Sequence, residues 1–269
     1  MKTIPFYKME ATGNDFVVVD NRRKIVLNPA KFAREACDRC AGIGADGVLL
    51  IENSRAADFK MRIINADGSE AEMCGNGSRC AGLFARTVLK KPAKLSVETL
   101  AGMIRLEVKK NTVRAGLSAP RDFRDRFSLE VEGKTYPCYF INTGVPHTVL
   151  FVDGFDGFSP EFLGEKIRFH KEFAPKGTNV NFVRKDPGNS IYVRTYERGV
   201  GMTRACGTGV TASAIISAIA SGYRSPVTVG TLGGELKVGF GLNETTVSEV
   251  TLEGKAVTVF KGEFFVNHK

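Results

Sequence analysis

The sequence repeats itself, and this repeat constrains the fold more than any other feature of the chain. The segment MRIINADGSEAEMCGNG at 61–77 aligns without a gap on VRTYERGVGMTRACGTG at 193–209, with an offset of 132 residues. Cys74 then corresponds to Cys206, and the glycines of the two Cys-Gly-x-Gly segments coincide. Internal repetition of this kind indicates that one structural plan occurs twice.

Three further pairs of segments occur in the same order in the two halves. For the earlier segments the offset moves by one residue. The pairs are VETLAG at 97–102 with VGTLGG at 229–234, ATGNDFVVVD at 11–20 with NTGVPHTVLFVD at 142–153, and GIGADGVLLIE at 42–52 with APKGTNVNFVR at 174–184. Because chance matches would not be collinear, we predict a duplicated domain with a pseudo-twofold relation between its copies.

The secondary structure follows the same repeat. Alternating and β-branched runs such as DFVVVD, GVLLIE and IYVRTYE dominate both halves and predict strands. One main helix is predicted after each Cys-Gly-x-Gly, and the second of these is apolar nearly all round, so it should be buried. The predicted helices span about Gly77–Leu89, about Gly209–Ser221, about Pro29–Cys40 and about Pro160–Phe169.

These elements predict an α+β fold of two pseudo-symmetric domains, each with a buried helix wrapped by strands. A chain of 269 residues is long for one core and sufficient for two. The predicted N-terminal repeat domain comprises residues 1–117 plus 258–269, and the predicted C-terminal repeat domain comprises residues 118–257.

Composition and charge exclude several classes of function. The net charge of +9 is dispersed, and the densest stretch, RDFRDRF at 121–127, alternates in sign. No nucleic-acid-binding signature is present, so we expect no nucleic-acid partner. The start of the chain lacks the apolar stretch of a signal peptide, and ASAIISAIA at 212–220 is too short to span a bilayer. We therefore expect a cytoplasmic protein with no membrane partner, in which structural disulfides are rare.

Each Cys-Gly-x-Gly segment combines a thiol with the start of a helix. The backbone N–H groups of a first helical turn lack partners within the helix, and the helix dipole favours negative charge there. Both effects favour a thiolate, and the same N–H groups can bind a carboxylate. Each segment is therefore expected to supply a reactive thiol and half of an anion site.

The duplication suggests how two such segments act together. Two equivalent helix ends would face each other across a cleft, with Cys74 and Cys206 on opposite sides of a bound carbon acid. One sulfur would remove the α-proton and the other would return a proton to the opposite face. This stereoinversion needs no pyridoxal phosphate, and no Gly-rich phosphate-binding fingerprint is evident, so we expect no cofactor.

Motifs along nearly the whole chain resemble those of diaminopimelate epimerases, and they come in the order of that family. The motifs are GNDFVVVD, GIGADGVLL, NADGSEAEMCGNGSRCAG, TLAG, GTNVNFV and ERGVGMTRACGTG. The resemblance implies two similar domains, each a strand-rich, barrel-like sheet around a central helix. It also implies a homodimer that interconverts LL- and meso-2,6-diaminopimelate, a diamino dicarboxylate, in lysine and peptidoglycan precursor synthesis.

The resemblance assigns roles to individual residues. Cys74 and Cys206 match the acid/base pair, and Glu197 and His147 match two polar residues beside the reacting centre. The residues matching substrate-binding positions are Asn14, Asn65, Gly75, Asn76, Asn179, Arg198, Gly207 and Thr208. Asn65 and Glu197 are repeat partners, each nine residues before its cysteine. At this repeated position, the resemblance therefore implies that one copy recognises the substrate and the other assists the reaction.

Two positions depart from the family pattern. Val145 stands where the family often has an Asn that contacts the substrate, and Met202 stands where it often has Glu. Because Val145 has no polar side chain, that contact must be lost or made elsewhere. We expect these changes to affect specificity and to leave the cysteine chemistry intact.

Two alternative functions remain open, and the other cysteines need a separate interpretation. Cys37 and Cys40 form a C-x-x-C, but no second pair has the spacing of a zinc site, so we expect no metal. Cys80 and Cys138 are interpreted as buried packing residues. The chain could be a racemase of another amino acid on the same fold, similar to proline racemase. It could also be a dithiol redox or binding protein, if Cys74 and Cys206 face each other.

Overall fold

The chain forms two compact units in a computed structural model that describes residues 2–266. Residues 1 and 267–269, the latter at the end of the predicted N-terminal repeat domain, lie outside the described part. The first unit contains the residues up to Gly116 together with those from Gly254 onward. The second unit is Leu117–Glu253.

Four α-helices and one 3-10 turn occur in the described residues. The helices are α1 (Pro29–Cys37), α2 (Gly75–Thr87), α3 (Pro160–Arg168) and α4 (Gly207–Ser221), and the 3-10 turn is Lys171–Phe173. Strands make up most of the remainder. They are β1 (Lys2–Ala11), β2 (Asn14–Asp20), β3 (Gly47–Glu52), β4 (Phe59–Asn65), β5 (Glu70–Ala71), β6 (Lys94–Thr99), β7 (Gly102–Lys109), β8 (Thr112–Gly116), β9 (Arg121–Val131), β10 (Lys134–Asn142), β11 (Pro146–Val152), β12 (Asn179–Asp186), β13 (Ser190–Glu197), β14 (Gly201–Thr203), β15 (Val227–Thr231), β16 (Gly234–Asn243), β17 (Thr246–Lys255) and β18 (Val257–Val266).

The two units share one strand order. In the first unit the order is β18–β1–β2–β3–β4–β6–β7–β8, antiparallel except for the parallel pairs β2–β3 and β4–β6. In the second unit the order is β9–β10–β11–β12–β13–β15–β16, with β11–β12 and β13–β15 as the parallel pairs. The last strand, β18, therefore takes in the first unit the place that β9 takes in the second. This correspondence confirms the predicted duplication and the α+β fold.

Each unit wraps its strands around one buried helix. Helix α2 packs against β1, β2, β7 and β8, and every residue from Asn76 to Ala85 is buried. Helix α4 packs against strands β10–β13, β15 and β16, and its residues 209–218 are all buried. The burial of α4 is what its apolar sequence predicted. Apolar side chains such as Phe84, which is 0% exposed, each stabilise the core by about 1.5–3 kcal/mol.

Both central helices begin two residues earlier than predicted, at Gly75 and Gly207. The cause is that Cys74 and Cys206 are themselves the N-cap residues, with extended backbone angles, so the following glycine is already helical. At the other end, α4 is terminated by Gly222, whose φ of 73° is favourable only for glycine and a few polar residues. No helix within residues 2–266 is long and apolar enough to cross a membrane.

Candidate active site

In the first unit, the thiol of Cys74 lies at the N-terminus of α2. Its Sγ accepts a hydrogen bond from the Gly77 N–H over 3.4 Å, and its carbonyl accepts from Ser78 N–H over 2.9 Å. By helix geometry the N–H groups of Gly75 and Asn76 have no carbonyl partner within the helix. This end of the helix can therefore bind a carboxylate next to the sulfur.

Asn14 joins this cluster from the start of β2. Its Oδ1 accepts from Sγ of Cys74 at 3.7 Å and from Nδ2 of Asn76 at 3.4 Å. Its Nδ2 donates to Oδ2 of Asp46 over 2.6 Å, and Asp46 is paired with Arg39 at 2.7 Å. Three residues that the sequence proposed for substrate and catalysis are thus in contact, and Asp46 orients the amide of Asn14.

Asn65 is placed differently. It is exposed at the end of β4, pairs with Gly47 in the sheet, and donates from Nδ2 to Oγ of Ser69 over 2.9 Å. Its side-chain amide is therefore held within the turn that follows β4, apart from the hydrogen bonds that join Asn14 to Cys74.

In the second unit, Cys206 is only 6% exposed, and its Sγ lies 3.4 Å from Oγ1 of Thr208. Burial raises the pKa of the Cys206 thiol far above its ordinary value, and the nearby carboxylate of Glu197 raises it further. The Thr208 hydroxyl and the Gly209 N–H act in the opposite direction, with smaller effect. At Cys206 burial therefore outweighs the helix N-terminus, and the protonated thiol is favoured.

His147 lies in the core of the second unit with no exposed surface. Its Nδ1 is 3.1 Å from Nδ2 of Asn181, whose Oδ1 accepts a hydrogen bond from Thr195 over 2.9 Å. Burial lowers the pKa of His147 to about 3, and the positive charge of Arg198 contributes. The imidazole is therefore neutral at physiological pH.

Asn179 and Arg198 lie beside His147. Asn179 pairs with His147 across the parallel ladder of β11 and β12, and its Oδ1 accepts from the Arg198 N–H over 2.9 Å. The Arg198 side chain donates to the carbonyl of Lys176 over 3.3 Å. The second unit therefore gathers Cys206, Thr208, His147, Asn179, Glu197 and Arg198 around the start of α4 and the ends of the neighbouring strands.

Glycine is required where α4 approaches β12. A Cβ on Gly209 would lie 2.3 Å from Oδ1 of Asn181 and 3.1 Å from Oγ1 of Thr195. At the repeat-equivalent Gly77, the nearest atom to a Cβ would be Cδ2 of Leu49, at 3.1 Å. Packing therefore requires a glycine as the third residue after each cysteine. The requirement is stricter at Gly209 than at Gly77, because the nearest atom is closer.

Sequence reasoning missed several polar residues that support these side chains: Thr12, Asp46, Arg79, Asn181 and Thr195. A signal was available for two of them. Asn181 interrupts an otherwise apolar strand in NVNFV, and Arg79 is a charged residue in a helix of small and apolar residues. Such positions are unusual in a core, where buried polar groups need partners.

Three of the four remaining cysteines are buried. Cys80 and Cys138 are 0% exposed, as predicted for packing residues. Cys37 is buried, which raises its pKa to about 11, whereas Cys40 is exposed. Within the part of the chain that the structure describes, no three His, Cys, Asp or Glu side chains are grouped so as to hold a metal ion.

Comparison with known sequences points to one family. The sequence profile described as diaminopimelate epimerase matches residues 6–119 and 139–259. The diaminopimelate epimerase of Caldanaerobacter subterraneus subsp. tengcongensis is 41% identical over 279 residues, which covers 96% of this chain and 98% of that protein.

Solved structures with the same fold are more distant in sequence. A PhzF-family phenazine biosynthesis protein of Bacillus anthracis matches with a TM-score of 0.74 at 19% identity, over 99% of this chain and 100% of that chain. A probable proline racemase of Agrobacterium radiobacter matches with a TM-score of 0.69 at 16% identity, over 98% of this chain and 93% of that chain. At these identities the likeness concerns the fold alone.

Proposed function

As a member of the diaminopimelate epimerase family, the chain is an isomerase, and we propose that it inverts one α-carbon of LL-2,6-diaminopimelate through Cys74 and Cys206. The observation that carries this proposal is the equivalent placement of the two cysteines, each the N-cap of the buried helix of its unit. The substrate is a diamino dicarboxylate, and its two forms are intermediates of lysine and peptidoglycan precursor synthesis.

The proposed reaction is a proton transfer on each face of the α-carbon. The thiolate of one cysteine takes the α-proton, and the electron pair left on carbon is delocalised into the α-carboxylate. The thiol of the other cysteine then donates its proton to the opposite face, which inverts the configuration and reverses the two sulfur protonation states. Protons and charge balance without a cofactor.

The helix ends supply electrostatic stabilisation in this proposal. N–H groups of Gly75–Asn76 and Gly207–Thr208 bind the α-carboxylate, on which negative charge accumulates as the proton leaves. Preorganised donors of this kind are worth about 3–4 kcal/mol each where charge develops.

Glu197 and His147 act next to Cys206 in the proposed site. The carboxylate of Glu197 stabilises the protonated form of Cys206, which keeps a proton available for donation. His147 is neutral, and its Nε2 is buried without a hydrogen-bond partner among residues 2–266, so it can donate to the reacting end of the substrate.

The distal amino-acid end of the substrate is assigned to Asn14, Asn65, Asn179 and Arg198. Arg198 provides a cation for the distal carboxylate, and its backbone is held by Asn179. Val145 offers no side-chain hydrogen bond, so we propose that water or another residue makes the contact that the family often makes through an Asn at this position. Met202, where the family often has Glu, is likewise expected to change substrate specificity and to leave the cysteine chemistry intact.

A substrate panel tests this assignment. The purified protein should epimerise LL-diaminopimelate faster than it racemises lysine, ornithine or proline, with α-proton exchange followed by NMR. Equal or faster turnover of proline or another monocarboxylic amino acid would overturn the diaminopimelate assignment in favour of a racemase on the same fold.

The cellular setting and assembly are part of the proposal. Two catalytic thiols require reducing conditions, which supports a cytoplasmic location. The family resemblance supports a homodimer, and light scattering coupled to gel filtration would measure its mass. A monomeric mass at micromolar protein concentration would contradict the dimer without affecting the chemistry.

A further inference from the structure

Arg79 is a buried arginine that the proposed chemistry does not use. It is 0% exposed, and it lies on α2, five residues after Cys74. Its Nη2 donates to Oγ1 of Thr12 and to Oδ1 of Asn76, each over 2.6 Å. Its Nη1 donates to the Gly75 carbonyl over 3.2 Å, and its Nε has no hydrogen-bond partner among the described residues.

The charge of Arg79 has no carboxylate partner. No Asp or Glu among residues 2–266 lies within ion-pair distance of its guanidinium, and all three of its hydrogen-bond acceptors are neutral. Arginine does not deprotonate in proteins, and an uncompensated buried charge is strongly destabilising. Burial of this cation therefore favours the anionic form of a titratable group nearby.

The charged and titratable groups around the guanidinium are few. Those whose charges act on Arg79 are Cys74, Cys80 and Glu10. Cys80 is fully buried, which raises its pKa far above the ordinary value and keeps it neutral. Glu10, on β1, is partly exposed and accepts a hydrogen bond from the Gly13 N–H over 2.9 Å. Besides the Glu10 carboxylate, which is partly exposed to solvent, the sulfur of Cys74 is the group near Arg79 that can become an anion.

Other acidic groups near Asn14 have their own cations. Asp46 is paired with Arg39, and Asp15 is paired with Lys8 at 2.6 Å and with Arg39 at 2.9 Å. Their negative charges are therefore offset by Arg39, in the loop that follows α1, and by Lys8, on β1. They do not remove the electrostatic effect of Arg79 on the start of α2.

A chain of hydrogen bonds connects Arg79 to the thiol. Arg79 holds Oδ1 of Asn76, and Nδ2 of Asn76 donates to Oδ1 of Asn14 over 3.4 Å. The same Oδ1 accepts from Sγ of Cys74 at 3.7 Å. Fixing the Asn76 amide therefore also positions Asn14, whose Oδ1 accepts from the protonated thiol. Loss of that proton removes this hydrogen bond, while the Gly77 N–H still donates to the sulfur.

The second unit has no equivalent of this cation. The repeat partner of Arg79 is Thr211, which donates to the carbonyl of Gly207 over 2.8 Å, as Arg79 does to that of Gly75. A neutral side chain can therefore make the hydrogen bond to this carbonyl, so that bond does not explain the charge of Arg79. The charged neighbour of Cys206 is instead the carboxylate of Glu197. The two cysteines thus have opposite electrostatic surroundings.

We propose that Arg79 is a positioning residue that holds Asn76 at the start of α2 and, by its fixed positive charge, makes Cys74 the thiolate and Cys206 the thiol of the resting enzyme. This inference rests on the proposed acid/base roles of the two cysteines. In the first step, Cys74 would then remove the α-proton from whichever epimer presents its α-hydrogen to that sulfur.

Alkylation of the intact protein by iodoacetamide tests the proposal without turnover. The rate at each cysteine, measured by peptide mass spectrometry from pH 5 to 10, reports its thiolate fraction. The midpoint for Cys74 should lie at lower pH than the midpoint for Cys206. A Cys206 midpoint equal to or below that of Cys74 would overturn the proposal. Failure of the diaminopimelate assignment would leave this readout intact, so the two failures are distinguishable.

Variants then assign the effect to Arg79. Arg79→Met, which is neutral and similar in length, should slow alkylation of Cys74 at pH 7 by about tenfold or more, and leave Cys206 unchanged. Arg79→Lys, which keeps the charge, should restore most of the rate. Thr211→Val is the matched control at the equivalent helix position and should change neither cysteine.

A purely structural role gives a different result. Arg79→Met would then lower thermal stability without changing the pH dependence of Cys74 alkylation. Arg79→Lys would not restore the thermal stability. This pair of results would contradict the proposal. Circular dichroism establishes whether each variant is folded. The wild-type comparison of the two midpoints requires no variant, and it tests the assignment of thiolate and thiol whether or not Arg79→Met folds.

Discussion

Nδ1 of His147 accepts a hydrogen bond from Nδ2 of Asn181 over 3.1 Å, and both side chains are fully buried. The same Nδ2 donates to the Thr148 carbonyl over 3.1 Å, and Thr195 donates to Oδ1, so the orientation of the amide is determined. Because the amide nitrogen can only donate, the neutral ring carries its proton on Nε2. Asn181 thereby sets the tautomer of His147.

The buried His147 should make the protein less stable in acid. Its pKa is about 3 when folded against an ordinary value of 6.5, so between these values the unfolded chain binds the proton and the folded chain does not. The free energy of unfolding should therefore fall as pH decreases through this window, by about 1.4 kcal/mol per pH unit from this residue. Urea unfolding of wild type and His147→Gln at pH 4.5, 5.5 and 7 measures the difference.

The contribution of His147 is isolated by this comparison, because acidic groups titrate in both proteins. The difference in unfolding free energy between wild type and His147→Gln should shrink or reverse toward pH 4.5. A difference that is independent of pH would show that His147 binds its proton equally in the folded and unfolded states, and would contradict the lowered pKa.

The paired glycines of the two helices should differ in tolerance. Gly209→Ala places a Cβ against Oδ1 of Asn181 and is expected to destabilise by about 1–3 kcal/mol, because the crowded atom belongs to the His147 network. Gly77→Ala meets the end of the Leu49 side chain, which can move, so its loss should be smaller. Thermal unfolding of the two variants compares them, and equal losses would be inconsistent with this packing.

Removal of the Glu197 charge should favour the thiolate of Cys206. The carboxylate raises the pKa of this thiol, so in Glu197→Gln the alkylation midpoint of Cys206 should move to lower pH while that of Cys74 stays in place. Burial continues to oppose ionisation, so the midpoint should remain above that of an exposed cysteine. An unchanged Cys206 midpoint would mean that Glu197 acts on the substrate alone.

Each cysteine should be required for inversion. Cys74→Ser and Cys206→Ser replace a thiol by a much weaker acid and base, so turnover should fall by about 10²–10⁴-fold in each. A coupled assay of meso-diaminopimelate formation measures the loss, with Cys80→Ser as the matched control for a buried thiol outside the proposed reaction. Near-normal turnover in either catalytic variant would exclude the two-base mechanism.

The repeat in the sequence predicted the fold well, because duplication constrains topology more strongly than local propensity does. The positions of α2 and α4, the parallel β4–β6 and β13–β15 pairs and the glycines after each cysteine all follow one plan. The exact helix start was missed because cysteine is not a favoured N-cap residue, and its capping role here is evident only from the structure.

The electrostatic character of the site was not predictable from the repeat. Cys74 and Cys206 occupy equivalent positions, yet their charged neighbours, Arg79 and Glu197, have no charged repeat partners. A charged residue in a helix ordinarily predicts an exposed face, and the small and apolar residues around Arg79 were the one signal that it would be 0% exposed. The burial of Cys206, which reverses its expected pKa shift, likewise depends on tertiary packing.

Solvent deuterium incorporation during a single direction of reaction tests the central claim most directly. LL-diaminopimelate is incubated with the protein in D₂O, and substrate and product are examined by NMR and mass spectrometry at low conversion. The two-base mechanism predicts meso product that carries one α-deuterium at the inverted carbon, while the remaining LL substrate is largely unlabelled. Product without deuterium, or substrate labelled as fast as product forms, would contradict inversion by Cys74 and Cys206.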